Sequence, residues 1–156
     1  AIAFCQTYPV LKATVFDLPQ TLTLTERTVR EAGLSDRIAL LPGNFNTDGL
    51  GGPYDVVLMS DILHYQPAEA NAAIVQKVFS HLTTNGRLII KDRFLDETRT
   101  GPAWVTAFAV HILVNTERGD CYTTAEAMEW MTRAGFQSVV ELERTAVVQG
   151  VRAPTK

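Results

Sequence analysis

Apolar positions along the chain fall into short alternating blocks, each closed by a residue that breaks the pattern. Lys12 to Asp17 (K-A-T-V-F-D) reads as a β-strand, Pro19 to Ala32 as a helix closed by Gly33 in a left-handed cap, and Ile38 to Pro42 as a second strand. Tyr54 to Ser60 reads as a buried parallel strand that empties onto a loop carrying His64. Gln66-Pro67 opens a helix with Ile74, Val75, Val78, Phe79 and Leu82 on one buried face. Asn85-Gly86 ends that helix, and Arg87 to Phe94 is the next strand, centred on Leu88, Ile89 and Ile90. A helix from Trp104 to about Asn115 puts Trp104, Phe108, His111, Ile112 and Asn115 along a single stripe, for which core packing is the plain account. Thr123-x-x-Glu126 suits a capping box, and the helix it starts finishes at Ala134-Gly135. Phe136 to Glu143 and Thr145 to Val151 read as two strands that pair as an antiparallel hairpin around Arg144.

Alternating βα units followed by a β-β pair predict an α/β fold: a mostly parallel sheet with one reversed strand at its edge. The opening, Ala1 to Pro9, has no initiator methionine and looks like the second half of a helix, so further chain is expected before it. No internal repeat, linker or low-complexity tract interrupts the pattern.

Composition narrows the function classes. At 156 residues, 46% hydrophobic and 20% charged, the chain suits one globular domain. A net charge of -3 and the lack of a basic stripe argue against nucleic acid as a partner. No apolar run approaches the roughly 20 residues that span a bilayer, and no signal peptide is visible, so no membrane partner is expected. The two cysteines, Cys5 and Cys121, suggest neither a disulfide framework nor a metal site, and a reducing cytoplasm is the simplest setting.

Candidate chemistry sits at strand ends. His64 follows a strand at its C-terminal end, where open α/β sheets bind ligands and do chemistry. The plainer alternative is a histidine that satisfies loop backbone. Asp17 ends an earlier strand, where a carboxylate can take two ribose hydroxyls, although an acid capping the helix opened by Pro19 fits as well. Two loops are rich in glycine, and neither is a phosphate cradle by spacing. In Gly43-Asn44-Phe45-Asn46, Asn44 can hydrogen-bond an adenine edge while Phe45 packs on its face, whereas Asp48 to Pro53 reads as a plain turn. His81 is expected at the surface, and His111 as a packed helix residue. Asp92 alone reads as a solvated strand-end acid.

Taken in order, V-F-D-L-P, G-N-F, D-V-V-L-M-S-D-I-L-H, N-G-R-L-I-I-K-D and T-T-A-E-A-M-E-W-M-T-R-A-G-F resemble the catalytic domain of S-adenosylmethionine-dependent O-methyltransferases. The similarity is to the small-molecule branch of caffeic acid and acetylserotonin enzymes and covers nearly all of the chain. It implies a Rossmann-like class I methyltransferase sheet and a single catalytic domain over residues 1–156. The implied cofactor positions are Asp17, Leu18, Asn44, Phe45 and Ser60, with Asp17 on the ribose and Asn44 and Phe45 at the adenine. The implied general base is His64 and the acid that orients it is Asp92. Trp104, Phe108, His111, Ile112 and Asn115 fall where the family builds its acceptor pocket. Such a reaction needs the acceptor oxygen aligned with the methyl group and its proton removed, and no metal is required by this route.

Departures from the family accompany the matches. Its glycine-rich first motif is absent from these residues. The strand carrying that motif lies, in the family, between the strands ending at Asp17 and Ser60. The helical dimerisation domain that precedes it is absent too, so the chain is expected to be the C-terminal portion of a homodimeric protein. Asn44 stands where an acid is common, Tyr65 where an acid often follows the base, Asp92 where plant members carry Glu, and Cys121 where they carry a second Glu. The leading expectation is O-methylation of a small, aromatic hydroxyl compound. Methylation at carbon or nitrogen, a catalytically silent binding module, and a nicotinamide dehydrogenase remain as alternatives.

Overall fold

The computed structural model describes residues 1–154, which divide into two compact units, one of residues 1–51 and one from Gly52 onward. The first unit is built as helix α1 (Ile2–Thr7), strand β1 (Ala13–Asp17), helix α2 (Pro19–Glu31) and strand β2 (Ile38–Pro42). Pro19 stands in the first turn of α2, where a missing N–H costs nothing, and Gly33 follows the helix at φ +68°, a conformation that side chains disfavour. The crossover through α2 makes β1 and β2 parallel, from Ala13 opposite Ile38 to Asp17 opposite Pro42, so both strands end at one level. Cys5, Val29, Leu34 and Ile38 form the buried core of this unit, with Ile2, Val15 and Leu40 packed against them. Arg37 ties down the segment after α1 by donating to the Tyr8 and Pro9 carbonyls at 3.3 and 2.7 Å.

The second unit contains strands β3 (Tyr54–Ser60), β4 (Leu82–Lys91), β5 (Gln137–Glu143) and β6 (Val147–Val151), with helices α3 (Ala68–His81), α4 (Ala103–Asn115) and α5 (Thr124–Arg133). The sheet order is β3-β4-β6-β5. β3 and β4 are parallel, while β6 is antiparallel to both of its neighbours. The reversed strand is therefore internal, not at the edge as the βα alternation predicts. β6 earns its central place by packing: Val148 is fully buried, and a Cβ on Gly150 would come to 2.9 Å from Met131 and 3.0 Å from Phe136. β5 is mostly exposed and forms the edge.

Further expectations are corrected. β4 begins at Leu82, directly after α3, and its register jumps between Tyr54↔Leu82 and Val56↔Arg87, so Asn85-Gly86 lies inside the strand as an irregularity with Asn85 at φ +64°. Phe94 is buried but lies beyond the strand. β3 is parallel, yet as an edge strand it leaves Val56 and Leu58 exposed and buries only Met59. On α4 the buried residues are Val105 and Ile112, packed with Leu95 and Cys121, so the Trp104 to Asn115 stripe is not a core face. The main core of the unit includes Leu63, Val75, Val78, Leu82, Leu88, Ile90, Phe94, Met131 and Val148, each nearly inaccessible to solvent. Each such side chain contributes about 1.5–3 kcal/mol relative to exposure. The Thr123/Glu126 capping box closes on itself at the start of α5, with Glu126 N–H donating to Thr123 Oγ1 and Thr123 N–H to Glu126 Oε2.

Candidate active site

Beyond β3 the chain turns at Asp61, which adopts φ +55°, and runs into a single 3-10 turn, Leu63–Tyr65. A left-handed conformation is tolerated by aspartate, and here its neighbours hold it. Asp61 N–H donates to the Lys91 carbonyl at 2.9 Å, while its carboxylate receives Lys91 Nζ at 2.6 Å and Ser60 Oγ at 3.0 Å. Burial pushes the Asp61 carboxyl up, but the Lys91 and Ser60 hydrogen bonds and the charges of Lys91 and Arg93 outweigh it and leave the group below its ordinary value.

This corner delivers His64 into the interior, where it is 2% exposed. Asp92, 4% exposed, follows β4 and reaches across, its Oδ1 lying 2.6 Å from His64 Nδ1. The same carboxylate accepts Leu63 N–H on Oδ2 at 2.9 Å and Arg93 N–H on Oδ1 at 2.8 Å. A carboxylate already accepting two amide protons is an acceptor for the imidazole as well, which assigns a proton to Nδ1 and, in the neutral ring, leaves the lone pair on Nε2. That Nε2 is buried, and among the described residues nothing hydrogen-bonds it. A buried, unpaired nitrogen is expensive unless something else occupies its lone pair in the working state.

Aromatic groups enclose the imidazole. Tyr65 lies with its ring centroid 4.4 Å away, and Phe108 meets it edge-on at 4.9 Å. The Arg93 guanidinium sits 4.2 Å from the Phe108 centroid, and His111 stacks on the same ring at 6.0 Å. Of the five stripe residues on α4, Phe108 is therefore the one in ring contact with His64. His111 is exposed even though its ring stacks on Phe108, and it is bonded by Asn115, whose Nδ2 donates to the His111 carbonyl at 2.8 Å. Trp104 is 58% exposed, and Ile112 is buried in the satellite core. His81 is only partly exposed, with Nδ1 2.9 Å from the Lys77 carbonyl.

Cys121, where the resembled family's plant members carry a second acid, is a free and fully buried thiol. Burial, reinforced by the charges of Asp92 and Asp120, pushes it up to about 11, so it stays neutral and supplies no second carboxylate.

In the first unit, Asp17 and the 43–48 loop stand together at the carboxyl ends of β1 and β2. Gly43 N–H donates to the Asp17 carbonyl at 2.9 Å. Gly43 lies so close under Phe16 that a Cβ would fall 2.6 Å from the ring. Asp17 does not cap α2, whose N-cap is Leu18; its Oδ1 accepts the Leu18 N–H at 2.7 Å. Asn44 is exposed, and its Oδ1 accepts Asn46 N–H at 2.9 Å in a local turn, while its own N–H donates to Asp48 Oδ2 at 2.8 Å.

The sequence reading passed over Asn71, Gly119 and Tyr122, all of which touch the His64 turn. Asn71 carried a legible signal, since it sits at i−3, i−4 and i−7 from Ile74, Val75 and Val78 on the buried face of α3. A polar residue on an apolar stripe is retained for a partner.

A family model described as the O-methyltransferase domain matches residues 1–137. The chain is 34% identical over 137 residues to the L-tyrosine C(3)-methyltransferase of Streptomyces lavendulae, covering 87% of this chain and 37% of that protein. It is 31% identical over 157 aligned positions to the 3-hydroxy-5-methyl-1-naphthoate 3-O-methyltransferase of Streptomyces sahachiroi, covering 97% and 45%. An O-methyltransferase family 2 protein from Planctomyces limnophilus DSM 3776, solved in complex with apigenin, matches with a TM-score of 0.89 at 26% identity over 97% of this chain and 46% of that one. The chain spans less than half the length of each of these relatives.

Proposed function

The chain belongs to the O-methyltransferase domain family, and we propose that it moves the methyl group of S-adenosylmethionine onto a hydroxyl of a small aromatic molecule, with His64 as general base and Asp92 orienting it. The observation that carries this reading is the buried imidazole with Nδ1 engaged by Asp92 and Nε2 left without a partner. A lone pair held in that way suits one task, taking the proton of an acceptor hydroxyl as its oxygen bonds to carbon. Asp92 keeps the tautomer and stabilises the imidazolium that results. Phe108 and Tyr65 enclose the base in apolar surface that suits an aromatic acceptor.

The residues present fit the cofactor. Asp17 offers a carboxylate at a strand end, and the adjacent 43–48 loop approaches it closely because Gly43 has no side chain. Asp17 would hold the ribose, Leu18 would line its edge, and the Asn44 amide and Phe45 ring would take the adenine. When bound, the cofactor supplies an electrophilic methyl sulfonium. Trp104, His111, Ile112 and Asn115 complete our assignment of the acceptor pocket.

We read residues 1–156 as one catalytic domain of a cytoplasmic, homodimeric full-length protein that uses no metal. The homodimer is supported by α4, which exposes Val110, Leu113 and Val114. The cytoplasm is supported by two free, buried thiols, Cys5 and Cys121. No helix among the described residues is long and apolar enough to cross a membrane.

In the full-length protein, His64→Ala should lower kcat by about 100-fold or more while calorimetry shows unchanged S-adenosylhomocysteine affinity. Asp17→Ala should weaken that affinity first. Full turnover in His64→Ala removes the base assignment, and full affinity in Asp17→Ala removes the ribose assignment. A second reading, methylation at carbon, is favoured by the 34% identity to an enzyme named as an L-tyrosine C(3)-methyltransferase. The carbon shift of the transferred methyl in the product separates the two.

A further inference from the structure

The His64 turn has little to hold it from within. Its own backbone bonds are Tyr65 N–H to the Ile62 carbonyl at 3.2 Å and Gln66 N–H to the Leu63 carbonyl at 3.0 Å. Further bonds come from outside it. Asn71 Nδ2, from α3, donates to the Leu63 carbonyl at 2.9 Å and lies 3.4 Å from that of Gln66. Tyr122, just before α5, donates its hydroxyl to the Gln66 carbonyl at 2.6 Å. Gly119 faces the turn from the third side, and a Cβ there would collide with the His64 carbonyl oxygen and with Thr116 Oγ1. Thr116 Oγ1 in turn holds Gly119 by accepting its N–H at 2.9 Å and anchors to α4 by donating to the Ile112 carbonyl at 2.9 Å.

These contacts bear on the imidazole because Asp92 bridges two adjacent residues of the turn. Its Oδ2 takes Leu63 N–H and its Oδ1 meets His64 Nδ1. Rotation of the turn breaks both bonds at once, and the carbonyls on either side of His64, those of Leu63 and Gln66, are the ones that Asn71 and Tyr122 grip. Asn71 is completely buried and Tyr122 is 4% exposed, so neither bond is shared with solvent. Burial and the nearby charges of Asp120, Glu126 and Glu69 push the Tyr122 hydroxyl up to about 12, which keeps it a donor.

We propose that Asn71 and Tyr122 are positioning residues for the general-base step, holding the 63–66 turn so that His64 Nδ1 stays on Asp92 and Nε2 stays presented, with Gly119 the gap that admits the His64 carbonyl. This rests on the reading of His64 as the base. A merely structural pair would lower stability without touching the imidazole or the proton-transfer requirement.

The test uses the full-length protein with Tyr122→Phe, which removes one hydroxyl and keeps the ring, and Asn71→Leu, which keeps the volume on an apolar helix face. Proton NMR follows the far-downfield Nδ1 proton shared by His64 and Asp92, which needs no turnover, and steady-state kinetics follow kcat. Each variant should shift or broaden that resonance and lower kcat by about 10-fold, with S-adenosylhomocysteine affinity unchanged. The loss should shrink toward none on an acceptor whose hydroxyl is already ionised at the assay pH, because such an acceptor asks nothing of the base. An unmoved resonance in both variants overturns the proposal, as does an equal loss on the ionised acceptor. Full activity in His64→Ala instead sinks the base reading and leaves the resonance result to judge the positioning by itself.

Discussion

The His64 turn and the 43–48 loop both sit at the carboxyl ends of parallel strands, yet they are held in opposite ways. The loop carries several bonds within itself, Asn46 to Asn44, Asn44 to Asp48, and Thr47 and Asp48 N–H groups to the Asn44 carbonyl, besides the one from Gly43 to the Asp17 carbonyl. It is largely exposed, so water can replace any bond that is lost. The His64 turn buries Leu63 and His64 and is fastened by Asp92, Asn71, Tyr122 and Gly119, residues 5 to 56 positions away along the chain from their partners where hydrogen bonds join them. A loop of the first kind tolerates change and can adapt to a ligand. A turn of the second kind holds its imidazole in place only as long as its distant supports stay where they are.

The sharpest break in this contrast is Asp92→Asn. An amide either presents its N–H toward His64 Nδ1 and Arg93 N–H, which inverts the tautomer, or turns it against Leu63 N–H and pushes the turn away, and in both orientations the charge that stabilises an imidazolium is gone. We expect kcat to fall by about 1,000-fold or more with cofactor affinity retained, read by kinetics and calorimetry together. A fall of less than tenfold would mean that Asp92 does not set the tautomer.

Paired glycine substitutions come next. Gly119→Ala thrusts a methyl into the His64 carbonyl and should cost about 1–3 kcal/mol in urea unfolding along with activity. Gly49→Ala, in the first unit, meets nothing within 4 Å and should stay within about 0.5 kcal/mol. Equal costs would show that contact with the His64 carbonyl is not what constrains Gly119.

The smallest effect lies at Asp61. Its carboxyl titrates below the ordinary 3.8 in the folded chain, so the unfolded state binds the proton more readily there. The stability it contributes is present above that ordinary value and is lost as pH falls through the lower, folded one. Asp61→Asn should therefore flatten the acid end of a stability profile below about pH 4, while a profile of unchanged slope would show that the Lys91 pairing contributes nothing. Asparagine tolerates the left-handed backbone as aspartate does, which isolates the charge from the conformation.

Much of this architecture was legible along the chain because its causes are local. Periodicity and flanking Gly and Pro define Ile38–Pro42 and Tyr54–Ser60 as strands, and the Thr123/Glu126 pair opens α5 through bonds that span only three residues. The helix after Pro67 declares its buried face through Ile74, Val75 and Val78. Reading failed where the outcome depends on neighbours from far away. α4 is apolar nearly all round, so nothing in its spacing says that Val105 and Ile112 face inward while Trp104, Leu113 and Val114 do not. Asp92 looked like a solvated acid in isolation, and a resemblance, not its own pattern, pointed to His64.

By itself, then, the sequence determined the succession of strands and helices, the Thr123/Glu126 cap and the two strand ends that carry Asp17 and His64, because backbone propensity and capping act over a few residues. Only the tertiary structure decided that β6 lies inside the sheet and β5 at its edge, since both are β-branched and just the depth of packing around Val148 and Gly150 tells them apart. It alone divided the two oxygens of Asp92 between Leu63 and His64. That division joins residues 28 and 29 positions apart, a separation over which no local rule operates and only the closing of the chain on its core brings partners together.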